Sequence, residues 1–128
     1  MRGRGKIATV TTPPNGQVPE ATPDQLPAEF PADGSALLDV REPAEWTAGH
    51  APGAQHIPMA EVPQRLDELP EADELYVICR SGGRSAKVTA YLNAHGWDAV
   101  NVAGGMGGWA ASGRAMTSED PDAEPHVL

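Results

Sequence analysis

The sequence predicts an α/β fold in which a central parallel β-sheet is flanked by helices on both faces. Three observations predict it. Short, wholly apolar runs recur along the chain, and helical patterns separate them. Strands alternating with helices make βα units, whose crossovers cover both faces of a parallel sheet. A length of 128 residues suits one domain and is short for two.

The elements follow in order. Ala36–Val40 comes after a turn at Asp33-Gly34 and reads as a buried strand. Pro43 at a first helical position opens a short helix through Trp46, which Gly49 and Pro52-Gly53 end. Ala54–Ile57 is a short strand. Glu61–Leu69 reads as helix, with Val62, Leu66 and Leu69 on one face. Leu75–Cys79 is the clearest buried strand. Arg84–His95 is the clearest helix, with Val88, Tyr91 and Leu92 on one face and Gly96 just past its end. Ala99–Ala103 is a further strand and Met106–Ser112 a terminal helix.

Composition sets the limits of the folded unit. Residues 1–17 are rich in Gly, Pro and Asn, and residues 114–128 are acidic and Pro-containing, so both are expected to be disordered tails around a domain at 18–113. Eighteen acids against nine bases give a net charge of −9, and aromatics are 5%. A nucleic-acid binder needs a basic face and stacking rings, so that class is excluded. Apolar runs are too short to span a membrane. After Arg2, Arg4 and Lys6 only Ile7–Val10 is apolar, shorter than a signal peptide requires, so a cytoplasmic chain is expected. The single cysteine leaves no internal disulfide and no cysteine metal cluster.

That cysteine is where the chemistry concentrates. Cys79 ends the clearest strand, and Arg80-Ser81-Gly82-Gly83-Arg84-Ser85 leads into the clearest helix. Ligands of open α/β sheets sit at the carboxyl ends of strands. A glycine-rich turn entering a helix aims backbone N–H groups into an anion-binding concavity, which also stabilises a thiolate. No acid lies between Glu74 and Asp98, whereas Arg80, Arg84 and Lys87 do. This cationic island predicts a depressed thiol pKa and an anionic substrate. Cysteine phosphatases use a Cys-x5-Arg loop around a phosphate; here the spacing is Cys79-x4-Arg84, and the tighter ring suits a single sulfur atom on the cysteine.

The Cys79–Ser85 loop resembles the active-site loop of single-domain rhodaneses, the sulfurtransferases. Asp39-Val40-Arg41-Glu42-Pro43-Ala44-Glu45-Trp46 through Gly49-His50 and Pro52-Gly53-Ala54-Gln55-His56-Ile57-Pro58 resembles the family's first signature. Gly104-Gly105-Met106-Gly107-Gly108-Trp109 resembles its closing one. The match keeps order and spacing over about 36–112; His56 stands where many members have Asn. The resemblance implies a rhodanese-like fold and a Cys79 nucleophile that takes sulfane sulfur from a thiosulfate-like anion and passes it to cyanide or a thiol. It also implies Arg80, Ser81, Gly82, Gly83, Arg84 and Ser85 as the substrate-binding loop. No metal or organic cofactor is expected, and an unidentified acceptor protein stays open. The alternatives are a sulfur-carrier or interaction module without efficient turnover, and a small phosphatase or arsenate reductase on the same fold.

Other candidates take structural roles in this reading. Asp39, Arg41 and Glu45 are expected to form an ion-pair network supporting the pocket. His50 and His56, six apart across a Pro-Gly turn, lack a metal-ligand pattern and are expected to anchor the turn. Trp46, Trp97 and Trp109 are expected in the core.

Overall fold

The computed structural model describes residues 18–128; the expected N-terminal tail, 1–17, lies outside the described residues. Among the described residues five strands form one sheet: β1 (Glu20–Ala21), β2 (Ser35–Asp39), β3 (Gln55–His56), β4 (Glu74–Ile78) and β5 (Ala99–Val102). Their order is β1-β5-β4-β2-β3, and every pairing is parallel. Three α-helices cross between or follow them: α1 (Pro43–Ala48), α2 (Gly83–Ala94) and α3 (Gly105–Ala111).

The sheet is buried on both faces, as uninterrupted apolar strands require. Alternation splits β2, β4 and β5 between two cores. Leu38, Val40, Leu75, Val77 and Cys79 pack with Val88 and Leu92 of α2 and with Val62. Leu37, Tyr76, Ile78, Val100 and Val102 pack with Met106 and Trp109 of α3 and with Leu26 and Phe30. The fold class is therefore the one predicted, and β4, the strand before Cys79, is its central strand.

Three local departures have physical reasons. The segment expected as one helix over Glu61–Leu69 is two 3-10 turns, Met59–Gln64 and Leu66–Glu68, because Pro63 lies inside it and cannot donate to an α-helical ladder. Its surface is tied instead by Arg65 to Glu61 and Glu68 at 2.7 and 2.8 Å. Strand β1 has only two residues, too few for a periodic signal; it exists because Glu20 and Ala21 pair with Asn101 and Val102. Residues 114–128, expected as a free tail from their acidity, instead lie on the domain. Thr117 and His50 exchange backbone hydrogen bonds at 2.8 and 2.9 Å, and the His126 amide donates to Ala48. Met116 and Val127 pack against the second core. Arg114 stacks on the Trp109 ring at 4.1 Å and donates to the carbonyls of Pro23 and Pro27. Net acidity hid two apolar anchors and one cation.

No helix among the described residues is long and apolar enough to cross a membrane.

Candidate active site

Cys79 follows the last residue of β4, at the carboxyl edge of the sheet's middle strand, and is 1% exposed. The chain turns sharply after it: Gly82 takes φ +109°, a conformation that only glycine adopts without strain, and caps α2. This turn brings two donors onto the sulfur. The Gly82 amide donates to Cys79 Sγ at 3.1 Å and the Ser85 hydroxyl at 3.2 Å.

The floor of the loop is held from α3. The amides of Met106 and Gly107 donate to the carbonyls of Cys79 and Arg80 at 2.7 and 2.9 Å. Gly105, at φ +56°, passes so close that a Cβ there would lie 2.4 Å from the Cys79 carbonyl oxygen. This contact explains physically why a glycine opens α3: the loop carrying the cysteine rests on Gly105.

Burial pushes the Cys79 thiol up, but hydrogen bonds from the Ser85 hydroxyl and from the Ser85, Gly82 and Ser81 amides outweigh it and hold the thiol below its ordinary value. The expected direction is thus present. Of the two causes expected, the amides of the glycine turn and the nearby cations, the amides sit on the sulfur with a hydroxyl beside them, while Arg84 acts only through its charge. The arginines have other partners. Arg84 makes two parallel bonds to the Glu45 carboxylate, at 2.8 and 2.9 Å, and Arg80 Nε donates to the main-chain oxygen of Leu128 at 2.5 Å. The Arg84 hydrogen bond draws Glu45 down to about 2 from an ordinary 4.5. The pair therefore contributes stability that is complete above pH 4.5 and is lost as the pH falls through about 2.

Asp39 and Arg41 do form the buried ion pair expected of them. Arg41 Nε and Nη2 bond the carboxylate at 3.0 and 2.8 Å, both side chains are 0% exposed, and Nη2 also reaches the Gly49 carbonyl. Glu45 belongs instead to Arg84, so the expected three-member network is two separate pairs. One pair closes the turn after β2, and the other ties α1 to the active-site loop. His50 and His56 anchor the turn as expected, through contacts at 2.7 Å to the carbonyls of Trp46 and Arg41. Their rings lie nearly parallel to the Trp46 ring, with centroids 3.5 and 4.8 Å away. Trp46 is thus half-buried in a stack rather than in the core, and Trp97 is half-buried too. Trp109 is the buried one, and its indole donates to the Ala115 carbonyl.

Known proteins resemble this chain in sequence and fold. The family model described as Rhodanese-like domain covers residues 22–112. The chain belongs to the rhodanese-like domain family. Among curated rhodanese relatives, a protein of Allochromatium vinosum named Sulfurtransferase is 41% identical over 85 residues, covering 66% of this chain and 79% of that one. YrkF of Bacillus subtilis, whose name includes the term sulfur carrier, is 40% identical over 94 residues; the match covers 72% of this chain, which spans about half, 51%, of that longer protein. Among solved structures, SSP1007 of Staphylococcus saprophyticus superposes with a TM-score of 0.63 at 38% identity, covering 70% of this chain and 91% of that one.

Within the rhodanese-like domain, one residue at the cysteine escaped the sequence reading. Asn101, on β5, is 1% exposed and accepts a hydrogen bond from the Ser85 hydroxyl at 2.5 Å. Its signal is a polar side chain inside the apolar run Ala99–Val102, where a buried polar group needs partners.

Proposed function

We propose that this rhodanese-like protein moves a sulfane sulfur through a persulfide on Cys79. Sulfur transfer in general is the activity that its family and sulfurtransferase relatives support. The observation that carries the finer reading is the pair of donors on Cys79 Sγ, the Gly82 amide and Ser85 hydroxyl at 3.1 and 3.2 Å. Both stabilise negative sulfur without a metal or an external base.

The steps balance without an added oxidant or reductant. The Cys79 thiolate attacks the outer sulfur of thiosulfate. The S–S bond breaks and its electron pair leaves on sulfite. The Cys79 persulfide then gives its outer sulfur to cyanide or a thiolate, and the electron pair of the broken bond returns to Cys79. Ser81, Gly82, Gly83 and Ser85 line the turn that holds the sulfur. Arg80 and Arg84 meet the anionic end of the donor once it displaces the Leu128 and Glu45 contacts. Asp39 and Arg41 support the pocket from behind.

Those contacts also favour a second reading. With both arginines engaged and Cys79 buried, small anions find few free charges, which suits a protein that carries sulfur between partners with slow turnover on thiosulfate. Incubation with thiosulfate should add one sulfur atom to the mass, and cyanide should remove it. Steady-state thiosulfate:cyanide turnover separates the two readings: sustained turnover supports the enzyme, a single loading supports the carrier. No mass gain from thiosulfate, and none from an organic persulfide, refutes both.

Two further outcomes follow. The alkylation rate of Cys79 against pH should show a midpoint below the free-cysteine value of about 8.5, and a midpoint at or above it would mean burial dominates. One glycine inserted between Ser81 and Gly82 lengthens the loop to the phosphatase spacing and leaves α2 intact. Thiosulfate turnover should drop and inorganic phosphate binding should appear, because the wider ring moves the donors off the sulfur and can surround a tetrahedral anion. Undiminished sulfur transfer would show that loop length does not select the chemistry.

A further inference from the structure

Two groups donate to the reacting sulfur, and both lead to one side chain on the neighbouring strand. Asn101 Oδ1 accepts from Ser85 Oγ at 2.5 Å, and Ser85 Oγ lies 3.2 Å from Cys79 Sγ. Asn101 Nδ2 donates to the Gly82 carbonyl at 3.2 Å, and the Gly82 amide lies 3.1 Å from Sγ. The amide cannot be turned over: the Gly82 carbonyl and the Glu20 carboxylate, at 3.1 Å, only accept, so the end facing them is NH2. The carbonyl end therefore faces Ser85.

We propose that Asn101 is a positioning residue for the sulfur chemistry, a single β5 side chain that sets the place and aim of both donors to Cys79. The proposal rests on the sulfur-transfer reading above. Asn101 does not touch the sulfur. It fixes the side-chain rotamer of Ser85, whose one proton lies within reach of both Oδ1 and Sγ. When Sγ becomes negative, that proton turns to it by rotation about the Cβ–Oγ bond, and Oγ draws slightly away from Oδ1, to which it no longer donates. On the other side Asn101 joins the Ala86 amide, at 3.1 Å, in holding the carbonyl of Gly82, a residue at φ +109°, so the Gly82 N–H stays aimed at the sulfur. Glu20 of β1 completes the chain and holds the amide from behind. The preorganisation comes from side chains of the sheet, Asn101 and Glu20, and not from the loop itself.

The test is the pH dependence of Cys79 alkylation in wild type, Asn101→Ala, Ser85→Ala and the double variant, with thermal melting as the check on folding. Asn101→Ala should raise the midpoint by about one pH unit, which is about a tenfold smaller thiolate fraction below it. Sulfur transfer at neutral pH should slow by about the same factor. In the Ser85→Ala background the same change should shift the midpoint less, keeping only the part that runs through Gly82. A role in stability alone would lower the melting temperature and leave the midpoint in place. Asn101→Ser, which is polar but too short to reach Ser85, serves if the alanine variant does not fold and should shift the midpoint in the same direction. An unchanged midpoint, equal shifts in both backgrounds, or a fall in the midpoint would overturn the proposal; a fall would mean that Asn101 competes for the Ser85 proton. The midpoint does not depend on sulfur transfer. A wild-type protein that takes up no sulfur would refute the proposed activity, while a shifted midpoint in Asn101→Ala would still support the positioning role.

Discussion

Cys79→Ser is expected to fold like the wild type and to lose sulfur transfer by at least about a thousandfold. The fold should survive because serine is slightly smaller and its hydroxyl finds partners already in place, the Gly82 amide and Ser85 Oγ. The activity should vanish because a serine hydroxyl is not ionised in this setting and cannot carry a sulfane sulfur as a thiolate can. No other thiol in the chain can substitute, since the sequence has a single cysteine. Two measurements check it: thiosulfate:cyanide turnover, and the mass after thiosulfate treatment, which should show no added sulfur. A variant with a tenth or more of wild-type turnover would remove Cys79 from the mechanism.

The largest effect on stability is expected at Asp39. In Asp39→Ala the Arg41 guanidinium stays fully buried without its counter-charge, keeping only its bond to the Gly49 carbonyl. Breaking a buried pair from one side costs about 3–5 kcal/mol, against about 5–15 kcal/mol of total stability for a domain. Urea unfolding should show a large drop in midpoint. Replacing both partners, as in Asp39→Leu with Arg41→Met, should cost less than the single change, because no unpaired charge remains. The site should feel the single change too. Arg41 closes the turn that leads into α1, and α1 presents Glu45 to Arg84 of the active-site helix. A loss below about 1 kcal/mol for Asp39→Ala would show that the pair is solvated in solution and does not hold this turn.

The fold class, the strands β2, β4 and β5, and the helices α2 and α3 were legible in the residues because each repeats a local rule. An apolar run without polar interruption must be buried on both sides, and Pro at a helix start or Gly past a helix end acts within a few residues. Cys79 and the loop to Ser85 were legible for the same reason: a strand end, a glycine turn and a helix start are neighbours in sequence. A depressed thiol followed from that arrangement, and so did the amides as part of its cause; the partners of the arginines did not. Charge along the chain does not say whether a guanidinium faces the sulfur or another carboxylate. Arg84 turns to Glu45, thirty-nine residues earlier, and Arg80 to Leu128, forty-eight residues later.

Everything that needed a distant partner was left to the tertiary structure. Strand β1 has two residues and exists only as an edge on β5. Residues 114–128 look like a solvated tail by composition, but Met116 and Val127 reach the apolar face beside α3, and burial there outweighs the acidity around them. Asn101 is one polar residue in an apolar strand. Only parallel pairing of β5 with β4 brings it to the end of the strand that carries Cys79. The sequence alone determined which atom is the candidate nucleophile and on what kind of sheet it sits, because those are matters of local pattern and residue chemistry. The tertiary structure decided which groups surround that atom, because hydrogen bonds at 3 Å depend on the register of strands that are far apart in the chain.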